Sequence, residues 1–225
     1  MKRREFLILP AKTLGGYLLA STLAGESLFG QNAPKPEADV KIPLRFFTAQ
    51  EAAVVSAMTE RIFPTDASGA GAREAGVVIF IDRQLAGPYG HDKYRYTKGP
   101  WVESIPEHGY QGQANPRKIY RDGIAKLGDF TALSAANQDQ ALIAIERTTF
   151  FQMVRTHTLE GMFCDPLHGG NADMVGWRLI GYPGPVMAFR HEIEKYRGVP
   201  YPKVEPQSLE QMLGRKVPGW EDEPV

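Results

Sequence analysis

The chain has 225 residues, of which 43% are hydrophobic and 10% aromatic, enough for one ordinary domain with a real core. Lys plus Arg and Asp plus Glu each number 26, so the charge is balanced and nothing points to nucleic acid or to an acidic partner surface. The 17 prolines and 23 glycines are too many for a bundle of long helices and predict short helices joined by irregular segments.

At the N-terminus, Arg3 and Arg4 precede an apolar stretch that opens with Phe6 and Leu7 and is interrupted at Pro10 and Lys12. A second apolar stretch runs over residues 13–24. Neither reaches the roughly 20 uninterrupted apolar residues of a spanning helix. A basic start, a modest apolar region and small residues at its end describe a secretory leader over residues 1–24, with Thr22-Leu23-Ala24 as a tolerable cleavage site. The RR-x-F-L order with a mildly hydrophobic, Gly-containing core is similar to a twin-arginine signal. The plainer alternative is an ordinary leader with a chance arginine pair. Export leads to an oxidising compartment, yet Cys164 is the single cysteine, so no internal disulfide can form.

Residues 25–43 are polar, contain proline and lack periodicity, which predicts a linker. Thr48-Ala49-Gln50-Glu51 is a capping-box pattern, and Val55, Met58 and Ile62 continue at helical spacing until Pro64. A second helix is predicted over residues 74–85, with Val77, Val78, Ile81 and Leu85 on one face and Gly87-Pro88 as its end. Residues 88–114 have no clear period and read as a long ordered loop, of the kind that is often functional. Asn115-Pro116 offers a cap and a first-turn proline to a helix carrying Tyr120, Ile124 and Leu127. Ser134 caps a further helix with Leu142 and Ile145, and another is expected over residues 149–162. A short helix over 173–180 and a last one over 186–196, ending at Gly198, complete a helical region from 44 to 198. The proline-rich tail, residues 199–225, is expected to be disordered or draped over a partner. With no strand run and no repeat, the expected fold is all-α: a single compact domain of short helices with long loops.

The densest polar segment runs from Arg155 to Asn171 and holds His157, Glu160, Cys164, Asp165 and His168. Its residue types suit a 2-His-carboxylate metal site or a His–carboxylate acid–base pair. The competing expectation is structural: these side chains bond local backbone groups and hold an irregular loop, with His157 a satisfied, partly buried histidine. No H-E-x-x-H, second cysteine or repeated ligand spacing supports the metal reading. Gly169-Gly170-Asn171 lacks the G-x-G-x-x-G order of a dinucleotide site, and the C-x-x-C-H haem motif does not occur. Trp101, Tyr110 and Trp177 are candidate core or interface aromatics, with interface the better reading for Trp101 and Tyr110.

Several phrases together resemble the gluconate 2-dehydrogenase subunit 3 family: the leader KRREFL, residues 44–51 and 61–66, YRYTKGPW at 94–101, Gly109-Tyr110-Gln111, and above all 150–185 with RTHTLEGMFCDPLHGGNADMVGWRLIGYPGP. The resemblance covers most of residues 44–185 and implies the small subunit of a membrane-associated sugar, sugar-acid or polyol dehydrogenase. It further implies a large FAD-bearing catalytic subunit of the glucose–methanol–choline type and a multihaem cytochrome c subunit at the membrane. The small subunit of such complexes carries the twin-arginine signal for the translocation machinery and escorts the folded flavoprotein to the periplasm. No catalytic, cofactor or metal residues come to this chain with the resemblance. A cofactor-free chain with a signal suited to folded cargo fits a passenger supplied by a partner. The alternative is a stand-alone periplasmic metal-dependent enzyme built on residues 157–171.

Overall fold

The computed structural model describes residues 43–101, 105–185 and 190–217. The leader with Arg3, Arg4, Phe6 and Leu7, and the linker up to residue 42, lie outside the described residues. So do 102–104, the first part of the expected 186–196 helix and the end of the tail.

Eight short α-helices and several 3-10 turns make up the described residues, with no strand among them, so the fold is all-α. Helix α1 (Ala49–Ile62) starts where the capping box places it: Thr48 Oγ1 accepts the Glu51 amide at 3.2 Å, and Glu51 accepts the Thr48 amide at 2.8 Å. Its buried side chains include Val55, Met58 and Ile62, the expected stripe.

Helix α2 (Val77–Ala86) begins three residues later than the pattern suggests. Gly76 adopts a left-handed conformation (φ 69°), which stops a helix from propagating back through residues 74 and 75. The Ala75 carbonyl accepts instead from the Ala172 amide at 2.9 Å. Helix α2 is buried nearly all round, including one charged residue, Asp82, at 1% exposure.

That carboxylate holds the segment leading into α1. Asp82 Oδ2 accepts the Arg45 amide at 2.6 Å, and Oδ1 accepts those of Phe46 and Phe47 at 3.0 and 2.8 Å. Helix α3 (Pro116–Leu127) has Asn115 as its cap and proline in its first turn, and α4 (Ala135–Ala144) follows the Ser134 cap. Helix α5 (Thr149–Phe163) is the longest and packs against α1, α2 and α3. Gly161 brings α5 close to α2, since a Cβ there would lie 3.1 Å from Phe80 and Val77.

The expected helix over 173–180 is shorter: α6 spans Val175–Ile180. Asp173 (φ 51°) and Met174 (φ 56°) are left-handed and force a kink before it. Described residues of the next element form α7 (Arg190–Lys195). In the described part of the tail, residues 201–208 form no helix or strand, while Leu209–Leu213 form α8 with a Ser208–Gln211 capping box, and Gln207 ties the segment back by donating to the Pro183 carbonyl at 3.1 Å. No described helix is long and apolar enough to cross a membrane.

The Asp82 anchor can be tested by stability. Asp82→Ala would leave the buried amides of Phe46 and Phe47 without an acceptor, a loss of roughly 3 kcal/mol. For a chain of this size that lowers the melting temperature by about 6–12 °C in a thermal unfolding experiment. A shift below about 2 °C would show that the carboxylate does not hold this segment.

Candidate functional site

Helix α5 carries most of the polar segment singled out in the sequence, and its central polar residue is His157, 4% exposed. Both ring nitrogens are engaged: Nδ1 lies 2.8 Å from the Tyr120 hydroxyl on α3, and Nε2 lies 2.9 Å from the Tyr89 hydroxyl just beyond α2. The Tyr120 ring also lies nearly parallel to the imidazole, 5.7 Å between centroids. Burial pushes the His157 pKa down to about 4, so the ring is neutral at physiological pH.

A neutral imidazole donates at one nitrogen and accepts at the other. Tyr120 is fully buried, so its O–H has to be used within the core. Donation from Tyr120 to Nδ1 satisfies it and puts the histidine proton on Nε2, where it is donated to the Tyr89 oxygen. The Tyr89 O–H is then not used by the histidine. Desolvation raises the Tyr89 pKa to about 12, with Glu160 and Asp92 adding to the effect, so this hydroxyl stays protonated.

Tyr89 and His157 form part of the wall of a surface groove of about 560 Å³ between α2 and α5. Phe80 and Met153 supply apolar wall, and Gln84, Glu160, Cys164 and His168 also line it. Glu160 stands exposed at the rim, and desolvation by the walls raises its carboxyl pKa. The Gln84 side chain is buried at 4% exposure, and its Nε2 has no hydrogen-bond partner among the described residues.

The remainder of the polar segment closes the C-terminal end of α5. Helix ends expose carbonyls that their own helix cannot satisfy. Asn171, fully buried and left-handed (φ 47°), donates its amide to Gly161 O at 2.7 Å and its Nδ2 to Cys164 O at 2.8 Å. Its Oδ1 accepts the Gly176 amide at 2.8 Å, and the Trp177 indole donates to Phe163 O at 2.7 Å. A Cβ on Gly176 would meet Met162 O at 1.9 Å, so only glycine lets this layer approach so closely. Asp165 caps the following 3-10 turn by accepting the Leu167 amide at 3.1 Å, and its other oxygen accepts the Leu209 amide of α8 at 2.8 Å. Cys164 Sγ donates to Gly161 O at 3.6 Å.

The structure thus brings His157, Glu160, Cys164 and His168 to one groove and turns Asp165, Asn171 and Trp177 to architectural bonds. Among the described residues no three His, Cys, Asp or Glu side chains converge as a metal-binding group. Arg155 is half-buried and does not line the groove. Trp101 (37% exposed) and Tyr110 (39%) lie on the surface of the 88–114 loop and are separate from the groove, with the Arg95 guanidinium 5.2 Å from the Tyr110 ring centre. Sequence reasoning missed Asp82, Gln84 and Tyr89. A lone acid inside the nearly continuous apolar run VVIFIDRQL is itself a signal, because a buried carboxylate needs donors.

The His157 environment predicts a pH dependence of stability. Between pH 6.5 and about 4 the unfolded chain takes up a proton at this residue that the folded chain refuses. The contribution is therefore complete above pH 6.5, falls as pH drops below it and levels off near pH 4, amounting to on the order of 3 kcal/mol. Denaturant unfolding of wild type and His157→Gln across this window should show a steeper pH slope for wild type. Identical slopes would mean that His157 titrates as a solvent-exposed histidine does.

No curated protein and no solved structure matches the chain. One family does match, over residues 49–184, which is more than half of the chain and contains α1 to α6 with the groove and the cap of α5. The chain belongs to the gluconate 2-dehydrogenase subunit 3 family.

Proposed function

We propose that this chain is the non-catalytic small subunit of a membrane-associated flavoprotein dehydrogenase of the gluconate, sugar or polyol type. Its task is to support maturation of the FAD-bearing catalytic subunit and to carry it out of the cell interior by the twin-arginine route. The observation that carries this reading is the family match over residues 49–184, a family of dehydrogenase-complex subunits. Two features of the sequence support it: the paired Arg3 and Arg4 ahead of Phe6 and Leu7, and the lack of any nucleotide-binding or haem-attachment motif. A chain that advertises export of folded cargo without a cofactor motif of its own fits cargo that belongs to a partner. In this reading FAD resides in a glucose–methanol–choline type subunit, haem c in a multihaem cytochrome subunit, and the assembled complex sits on the periplasmic side of the inner membrane.

The test concerns the leader. Changing Arg3 and Arg4 together to Lys keeps the charge but replaces two planar guanidinium groups with compact ammonium groups. A receptor that reads the arginine pair should then leave both this chain and the flavin subunit in the cytoplasm, as fractionation and immunoblotting would reveal. Fusing an independent signal to the flavin subunit should restore its export without restoring that of this chain. Normal periplasmic delivery of the flavin subunit while the double variant stays behind would overturn the escort role.

A further inference from the structure

The loop that follows α2 presents a surface separate from the groove. Its path is set by a tight series of turns: Asp92 is left-handed (φ 58°), the Lys93 amide donates to Pro88 O at 3.0 Å, and the Arg95 amide donates to Asp92 O at 3.1 Å. Arg95 then pins the loop across its width. Its Nη2 donates to the Asp92 carboxylate at 2.6 Å and its Nη1 to the Gly112 carbonyl at 2.8 Å, with the Tyr110 ring against the guanidinium. The side chains around this anchor stay in solvent. Tyr94 is 68% and Tyr96 76% exposed, and Lys93, Lys98 and Trp101 are exposed with them.

Residues 93–101 hold three aromatic and three basic side chains, with no acidic and no aliphatic one. The adjoining acid, Asp92, is already paired with Arg95. Exposed aromatic rings gathered in one short stretch mark an interaction surface. The lysines decide which kind. Lysine is depleted at protein–protein interfaces, whereas Tyr and Trp interleaved with Lys is the composition found at the depth of lipid headgroups. There an aromatic ring rests its apolar body on the acyl boundary and keeps its polar edge wet, and a lysine stem lies along the same boundary with its ammonium among the phosphates.

We propose that residues 93–101 form a membrane-contact loop, in which Tyr94, Tyr96 and Trp101 enter the headgroup region of a bilayer and Lys93 and Lys98 bind the phosphates of its anionic lipids. The proposal deepens the reading of this chain as part of a membrane-associated complex and rests on it. Charge complementarity selects the lipid, because a cationic stretch without a competing carboxylate is drawn to an anionic surface. The turns and the Arg95 anchor hold the loop in shape before it meets the bilayer, so little ordering is left to do on contact.

The experiment uses the full chain and vesicles of phosphatidylcholine with and without phosphatidylglycerol, with binding measured by flotation and by titration. Wild type should bind the phosphatidylglycerol vesicles more tightly and lose affinity as salt is raised. Lys93→Gln with Lys98→Gln should weaken binding to them by about twentyfold. Tyr94→Ser with Tyr96→Ser should weaken it by about tenfold. All these positions are exposed, so both double variants should melt within about 2 °C of wild type, which separates lost contact from lost fold. Every variant keeps the same N-terminal segment, so the differences in affinity report the loop. A local readout comes from lipids brominated in their acyl chains, which should quench tryptophan emission in wild type, and Trp101→Phe should lose most of the quenched signal.

Double variants that bind phosphatidylglycerol vesicles as wild type does, or emission from Trp101 that bromine leaves untouched, would overturn the proposal. So would variants that keep full vesicle binding but no longer co-purify with the flavin subunit, since the loop would then be a protein contact. Failure of wild type to co-purify with any flavin subunit is a different result. It would sink the complex-subunit reading, whereas the vesicle measurements test the loop alone.

Discussion

Helix α5 runs through the middle of the packed helices, and every polar group it carries there has to be satisfied by a neighbour. The imidazole of His157 is met from both sides by tyrosines, one on α3 and one beyond α2. Thr158 turns its hydroxyl back onto the Val154 carbonyl at 2.7 Å. At the end of the helix, the carbonyls of Gly161, Phe163 and Cys164 are taken by Asn171 and Trp177. These bonds dictate the odd geometry that follows. Asn171, Asp173 and Met174 are held left-handed at a strain of about 1–3 kcal/mol each, a cost sustained only where the surrounding contacts over-determine the path. The same requirement fixes glycine at position 176 and joins α8 to the domain through Asp165.

Much of this fold is legible in the sequence because its signals are local. Thr48 with Glu51, Asn115 with Pro116, and Ser134 each mark a helix start through a side chain that satisfies amides within three residues. The apolar stripes of α1 and α3 follow the same short-range logic. What the sequence hides is decided across long separations. Nothing near residue 74 reveals that the Ala75 carbonyl is claimed by Ala172, which goes with the late start of α2 at Val77. Nor does the tail show that Asp165, far back in the chain, accepts the Leu209 amide and draws α8 onto the domain.

The polar segment illustrates the same division. Asp165 and Asn171 bond backbone groups near them in sequence, whereas His157, expected to bond local backbone together with Glu160, is held by two tyrosine hydroxyls. Its tyrosine partners, 68 and 37 residues away in sequence, carry no mark of the pairing. Gln84 is similarly silent: a glutamine near a helix end is ordinary until the fold buries it beside a groove. A segment rich in histidine and carboxylate thus serves two ends at once. Half of it locks the end of a helix, and the other half, His157, Glu160, Cys164 and His168, lines the groove between α2 and α5.

The state of His157 is what the packing around α5 turns on, and nitrogen-15 NMR of the labelled imidazole measures it. A histidine clasped between Tyr120 and Tyr89 should appear as one tautomer, protonated at Nε2, and should resist protonation until about pH 4. An imidazole that titrates near 6.5, with its proton exchanging between the two nitrogens, would contradict the clasp and with it the assignment of this segment to architecture.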